Sequence, residues 1–222
     1  MEMQSFCFST IRPLPQKRRR ALEAQHTSRW ESVTPHSLNC CYGSGGDLGG
    51  SRIEYLREDF DLLVECALWG TRRIMLRLPA TVEPICAPYV VESDGEDRAG
   101  IRWTPLPTDE GILEIHLEAG AEDDLTNEIW GIYRDNQDQV MNDAGRSIAA
   151  SLLDSDPGSL VLAWLGFGRL GYLAGQALPI PPSATAPSEA LNVFFGVTTT
   201  RWKAAIKAAA AGPVDPVTLL KI

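Results

Sequence analysis

Residues 51–79 read SRIEYLREDFDLLVECALWGTRRIMLRLP, and the parsing of this stretch decides the fold. Ser51 and Glu54 stand at the S-x-x-E spacing of a capping box, in which a hydroxyl and a carboxylate satisfy backbone N–H groups left over by the first helical turn. Ile53, Leu56, Phe60, Leu63, Val64, Ala67 and Leu68 then recur at offsets 0, 3, 7, 10, 11, 14 and 15, which traces one apolar face of a helix. The spacing therefore predicts a single helix over 51–69, with Gly70 as its left-handed C-terminal cap. Arg73 to Leu78 follows as a strand that places Ile74, Leu76 and Leu78 on one face and Arg73, Met75 and Arg77 on the other. Pro79 ends it.

Upstream, Phe6, Phe8 and Ile11 mark a first strand, and Pro15 opens a helix that runs to about His26 and carries Lys17–Arg20. His36 to Tyr42 reads as a second strand, delivered into the glycine-rich loop Gly43–Gly50. Downstream, Tyr89–Val91, Gly100–Thr104 and Ile112–Glu118 read as strands between Asp/Gly/Pro turns. In the last of these, Leu113, Ile115 and Leu117 point inward, and Ile112, Glu114, His116 and Glu118 point outward. Beyond Asp123 the period turns helical, with stripes at Leu125, Ile129, Ile132, Tyr133 and at Val140, Ala144, Ile148, Leu152. Asp156 caps a further apolar helix that begins at Pro157. The expected class is α+β: an N-terminal mixed or antiparallel sheet with packed helices, followed by a C-terminal helical region that shares the core. The expected domain spans 1–178, strand-rich to about 120 and helical over 123–176; residues 179–222 read as a Pro-rich linker and a short helical tail from Trp202 to Ala211.

A chain of 222 residues buries enough surface to fold without a metal or disulfide staple. Its net charge of −9 is unevenly placed. Residues 1–30 hold six basic side chains against two acids, whereas Glu92 to Asp156 holds 17 acids against four arginines. Such a field repels a polynucleotide from the middle of the chain and leaves its start attractive to anions. Five cysteines with no C-x-x-C pair fit neither a disulfide framework nor the usual zinc spacing, and a reducing cytoplasm is the expected setting. Leu160 to Ile180 is long and apolar, but Arg169 near its centre would cost about 2.5–3.5 kcal/mol in a bilayer, so a buried helix is expected and no membrane span.

Three groups of residues are candidates for a site. Arg18, Arg19 and Arg20, with Arg73 and Arg77, could bind phosphate or carboxylate groups. Glu114, His116 and Glu118 share a strand face and could contribute to a metal site, although at about 3.3 Å per residue one strand spreads three ligands over roughly 13 Å. A solvated face, paired across the sheet with Arg73 and Arg77, is the simpler expectation for them. The glycine-rich loop lacks the Lys-Ser/Thr of a P-loop and the G-x-G-x-x-G spacing. Of the histidines, His36 lies four residues from Cys40 on one strand, roughly 13 Å away and too far to exchange a proton.

The segment Trp69–Pro79, WGTRRIMLRLP, resembles the W-G-T-x-R-x-M-x-R-L-P signature of a group of bacterial proteins with no established activity. The likeness extends over residues 4–182 and includes an acidic middle and the L-x-x-x-W-L segment at Leu160–Leu165. It implies a shared α+β fold and a bacterial, cytoplasmic setting, and assigns no catalytic residue. A non-catalytic interaction subunit, without cofactor and with another protein as partner, ranks first. A nucleic-acid accessory protein using the Arg-rich helix ranks second, and a hydrolase or metal-dependent enzyme with a carboxylate site third. The sequence leaves the oligomeric state open.

Overall fold

The strands are β1 (Met3–Ser9), β2 (Glu31–Val33), β3 (Ser37–Gly43), β4 (Leu62–Ala67), β5 (Thr71–Pro79), β6 (Val91–Glu92), β7 (Gly100–Pro105) and β8 (Glu110–Glu118). They form one eight-stranded sheet in the order β2-β3-β1-β4-β5-β8-β7-β6, antiparallel at every pairing. This computed structural model describes residues 3–28, 31–43, 51–67, 71–92, 99–118, 137–169 and 186–210. Its helices are α1 (Gln16–Gln25), α2 (Arg52–Glu58), the single turn α3 (Glu83–Cys86), α4 (Gln137–Leu153), α5 (Gly158–Arg169), α6 (Glu189–Phe195) and α7 (Thr199–Ala209). The class is α+β, with the C-terminal helices sharing the core of the sheet.

The helix predicted over 51–69 is two elements. α2 stops at Glu58, and Leu62–Ala67 is strand β4, buried at every position. Ser51 is the N-cap residue, but its side chain makes no capping hydrogen bond. The chain turns where Asp59 and Phe60 both donate their N–H to the Tyr55 carbonyl. Asp61 then ties into the sheet, donating to the Ser9 carbonyl and accepting from the Arg77 N–H. Covered on both faces, β4 has no polar alternation, and a short run that is apolar except for Glu65 fits a buried helix equally well. β2 is a further strand absent from the sequence reading, and Tyr89 closes a 3₁₀ turn ahead of β6. The glycine-rich residues 44–50, Gly70, the stripe at 125–133 and most of the proline-rich segment lie outside the described residues.

Two hydrophobic layers flank the sheet. On one face Leu62, Val64, Ile74, Leu76, Leu113 and Ile115 meet Ala144, Ile148 and Leu152 of α4 and the buried length of α5. Phe194, Phe195 and Trp202, within the segment 179–222, belong to this same layer. On the other face Phe6, Phe8, Leu38, Leu63, Met75 and Ile112 meet Leu14, Leu22, Leu56 and Phe60. The alternation predicted for β5 and β8 is present, but both faces are covered around Met75 and Ile112. The Asp156 carboxylate accepts from the Gly158 N–H at 2.9 Å, as expected for the start of α5. Among the described residues no helix is long and apolar enough to cross a membrane.

Helix α4 approaches β4 through Gly145, where a Cβ would sit 2.5 Å from Leu62 Cδ1. Overpacking of this kind costs about 1–3 kcal/mol, more than the about 1 kcal/mol that alanine gains in helix propensity. Gly145→Ala should therefore lower stability in urea denaturation by about 1 kcal/mol. In a Leu62→Ala background the same substitution should be neutral or stabilising, because the clashing atoms are gone.

Candidate functional site

On the second face, beyond the phenylalanines, the sheet carries a row of charges. Glu65 of β4 is 1% exposed, and its carboxylate accepts from Gln4 Nε2, from Arg52 Nε and Nη2 at 2.8 and 2.9 Å, and from Arg73 Nη1 at 2.7 Å. Arg52 arrives from the first turn of α2 and lies 5.2 Å from the centre of the Phe6 ring. Arg73 places Nε 2.9 Å from Glu114 as an ion pair, off the N–H direction, and Arg102 reaches the same carboxylate at 3.5 Å. Arg73 Nη2 also lies 3.2 Å from His116 Nδ1. His116 Nε2 lies 3.0 Å from Glu118, which accepts from the Thr71 hydroxyl.

The sequence candidates Arg73, Glu114, His116 and Glu118 are thus brought into one network. Cross-strand pairing with Arg73 is as expected, since Arg73 faces His116 in register. The expected solvation is not: His116 is 4% exposed. Glu114, His116 and Glu118 do not converge as ligands, because Glu114 turns to two guanidiniums while His116 turns to Glu118. Arg77 lies apart, on Asp61 and the Arg57 carbonyl.

Of the helix α1 cations, Arg18 binds Asp59 through both Nε and Nη2, and that hydrogen bond holds its guanidinium above the usual range against the effect of burial. Arg19 pairs with Glu23 one turn on, and Arg20 is exposed.

A second cluster joins residues that the sequence reading kept apart. His26 follows the last turn of α1, Glu31 opens β2, and Cys40 lies directly opposite Glu31 on β3. His26 Nδ1 is 3.1 Å from Glu31 Oε1 and 3.8 Å from Cys40 Sγ. The histidine that meets Cys40 is therefore His26, while His36 lies exposed near the Thr10 carbonyl. His26 Nε2 lies 3.0 Å from the Tyr55 hydroxyl, and the Tyr42 hydroxyl donates to Glu31 at 2.7 Å. Burial would raise the Glu31 carboxyl, but hydrogen bonds from Tyr42, His26 and the Ser28 N–H bring it below its usual value. Burial pushes the Cys40 thiol up to about 11.

A cleft of about 780 Å³ opens at the end of the sheet where β1, β5 and the C-terminal half of α4 meet. Arg12, Arg77, Arg146 and His36 line it, together with Asp61 and Glu110. Ile11 and Leu153, 86% and 55% exposed, stand at its wall. Arg12 and Arg146 form no ion pair with the described residues.

No family model matches the chain, and no curated protein or solved structure matches it significantly.

The residues missed from sequence are those whose neighbours depend on β2 and β4. A hairpin reading of 31–43 would have set Glu31 against Cys40, and a strand reading of 62–67 would have exposed Glu65 as a charge buried in the middle of a sheet.

Three substitutions test these ion pairs. Glu65→Ala strands two guanidiniums on a covered face and should cost about 3–5 kcal/mol in denaturant, and Arg52→Ala should cost less because its side chain is 36% exposed. Asp61 is held below its usual pKa: burial raises it, but the Ile11 N–H, Arg77 and Thr10 outweigh that. Its contribution is therefore present above the unfolded value of about 3.9 and fades as pH falls through the lower folded value. Asp61→Asn should be destabilising at pH 7, and the gap to wild type should narrow below about pH 4 in thermal melts.

Proposed function

We propose that this chain is a non-catalytic interaction protein, an accessory subunit of a bacterial assembly, that holds an acidic, partly apolar segment of a partner protein in the cleft beside β1 and α4. The observation that carries this reading is the composition of the cleft wall. Exposed Ile11 and Leu153 offer apolar area, and Arg12 and Arg146 stand beside them without acidic partners among the described residues. Apolar contact supplies binding energy, and a guanidinium fork fixes a carboxylate by direction as well as by charge. In a chain of net charge −9 these cations act at short range, setting register and specificity. The bacterial setting rests on the resemblance at Trp69–Pro79.

Nucleic acid draws less support as the partner. Arg18, Arg73 and Arg77 already bind carboxylates, so phosphate would have to open those pairs.

Photo-crosslinking groups placed at Ile11 and Leu153 in the full chain should capture one partner segment, which is then synthesised and titrated. Arg12→Glu with Arg146→Glu should weaken that peptide at least tenfold while leaving the melting temperature unchanged. Binding indifferent to both reversals, or crosslinks that form only from a control position at Val90, would overturn the reading.

A further inference from the structure

We propose that His26, Glu31 and Cys40 form a binding site for a zinc ion at the joint between helix α1 and the β2–β3 edge of the sheet. This site is separate from the cleft and stands or falls independently of it.

The first argument is convergence. The three donor atoms, one nitrogen, one oxygen and one sulfur, all lie within 4.8 Å of one another. Bonds of about 2.0–2.3 Å in a tetrahedral zinc site set ligand atoms roughly 3.3–3.6 Å apart. The observed 3.1 Å from Nδ1 to Oε1 and 3.8 Å from Nδ1 to Sγ bracket that spacing. The third separation, Oε1 to Sγ, is within 4.8 Å.

The second argument separates this set from a nucleophilic one. A Cys-His-carboxylate relay uses both ring nitrogens, one toward the sulfur and the other toward the carboxylate. Here Glu31 and Cys40 both face Nδ1, and Nε2 is directed to Tyr55. A single proton on Nδ1 serves one of the two partners, whereas a cation between them serves both. Cys40 is also only 2% exposed, which denies a substrate access to the sulfur.

The third argument is the surrounding shell. Metal-bound histidines usually give their other N–H to a fixed acceptor, and the Tyr55 hydroxyl occupies that place, itself held by Gln25 Nε2 at 3.0 Å. Glu31 Oε2 accepts from the Ser28 N–H at 2.8 Å, which leaves Oε1 toward the centre. The Tyr42 hydroxyl donates to Glu31 at 2.7 Å and helps hold that carboxylate in place.

Charge also balances. A zinc ion, one carboxylate, one thiolate and a neutral imidazole sum to zero, so the buried site carries no net charge. On binding, the Cys40 S–H bond breaks, a Zn–S bond forms and that proton leaves to solvent, while the Nδ1 proton moves to Nε2, which then donates to the Tyr55 hydroxyl.

The test uses the full-length protein expressed in zinc-supplemented medium. Elemental analysis should find one zinc per chain, and Zn²⁺ added to chelator-treated protein should raise its melting temperature. Exchange with Co²⁺ should give thiolate-to-metal charge-transfer absorption that is absent in Cys40→Ser and kept in Cys86→Ser. His26→Gln should weaken Co²⁺ at least tenfold. Wild-type protein that retains no zinc, shows no cobalt absorption and melts identically with and without Zn²⁺ overturns the proposal, whatever the variants do. Absorption that persists in Cys40→Ser does so too, because the metal then sits elsewhere.

Discussion

Strand β4 is the constraint on which the architecture turns. Its six residues, Leu62 to Ala67, are all buried, and it pairs with β1 on one side and β5 on the other. It joins the β2-β3-β1 group to the β5-β8-β7-β6 group, so both groups share a single sheet only while β4 is in place. Its two faces supply Leu62 and Val64 to one hydrophobic layer and Leu63 to the other. The close passage of α4 at Gly145 and the early end of α2 both follow from the space this strand occupies.

A strand covered on both sides tolerates one charge only if the charge is neutralised in place. Glu65 meets that condition with two guanidiniums and an amide, and the cations come from different parts of the chain: Arg73 from the neighbouring strand, Arg52 from the helix before β4. Swapping such a group for apolar residues is often harmless, whereas leaving it half-paired is not. The network therefore acts as a registration device. It fits only when α2, β1, β4 and β5 are all correctly seated.

The legibility of the sequence follows the same division. Strands with one covered face and one mixed face announce themselves by alternation, as β5 and β8 do through Ile74, Leu76, Leu113 and Ile115. Helix α4 does so through Ala144, Ile148 and Leu152. β4 is illegible by that route because its period is hidden when both faces are apolar, and Phe60, Leu63 and Val64 happen to extend the helical spacing begun at Ile53. The paired charges on Arg73 and Glu114 could be anticipated from strand geometry. The meeting of His26 with Cys40 could not, since it depends on where α1 stops and on a three-residue strand with too little pattern to recognise.

The outermost strands have a consequence for association. β2 has three residues and β6 has two, whereas the long strands β5 and β8 are interior. Unpaired backbone amides and carbonyls along a sheet margin are a template on which foreign strands polymerise, and abbreviated margins leave little of it. Strands β2 and β6 themselves thus offer little length for main-chain augmentation. At these two margins recognition therefore falls to side chains more than to the main chain.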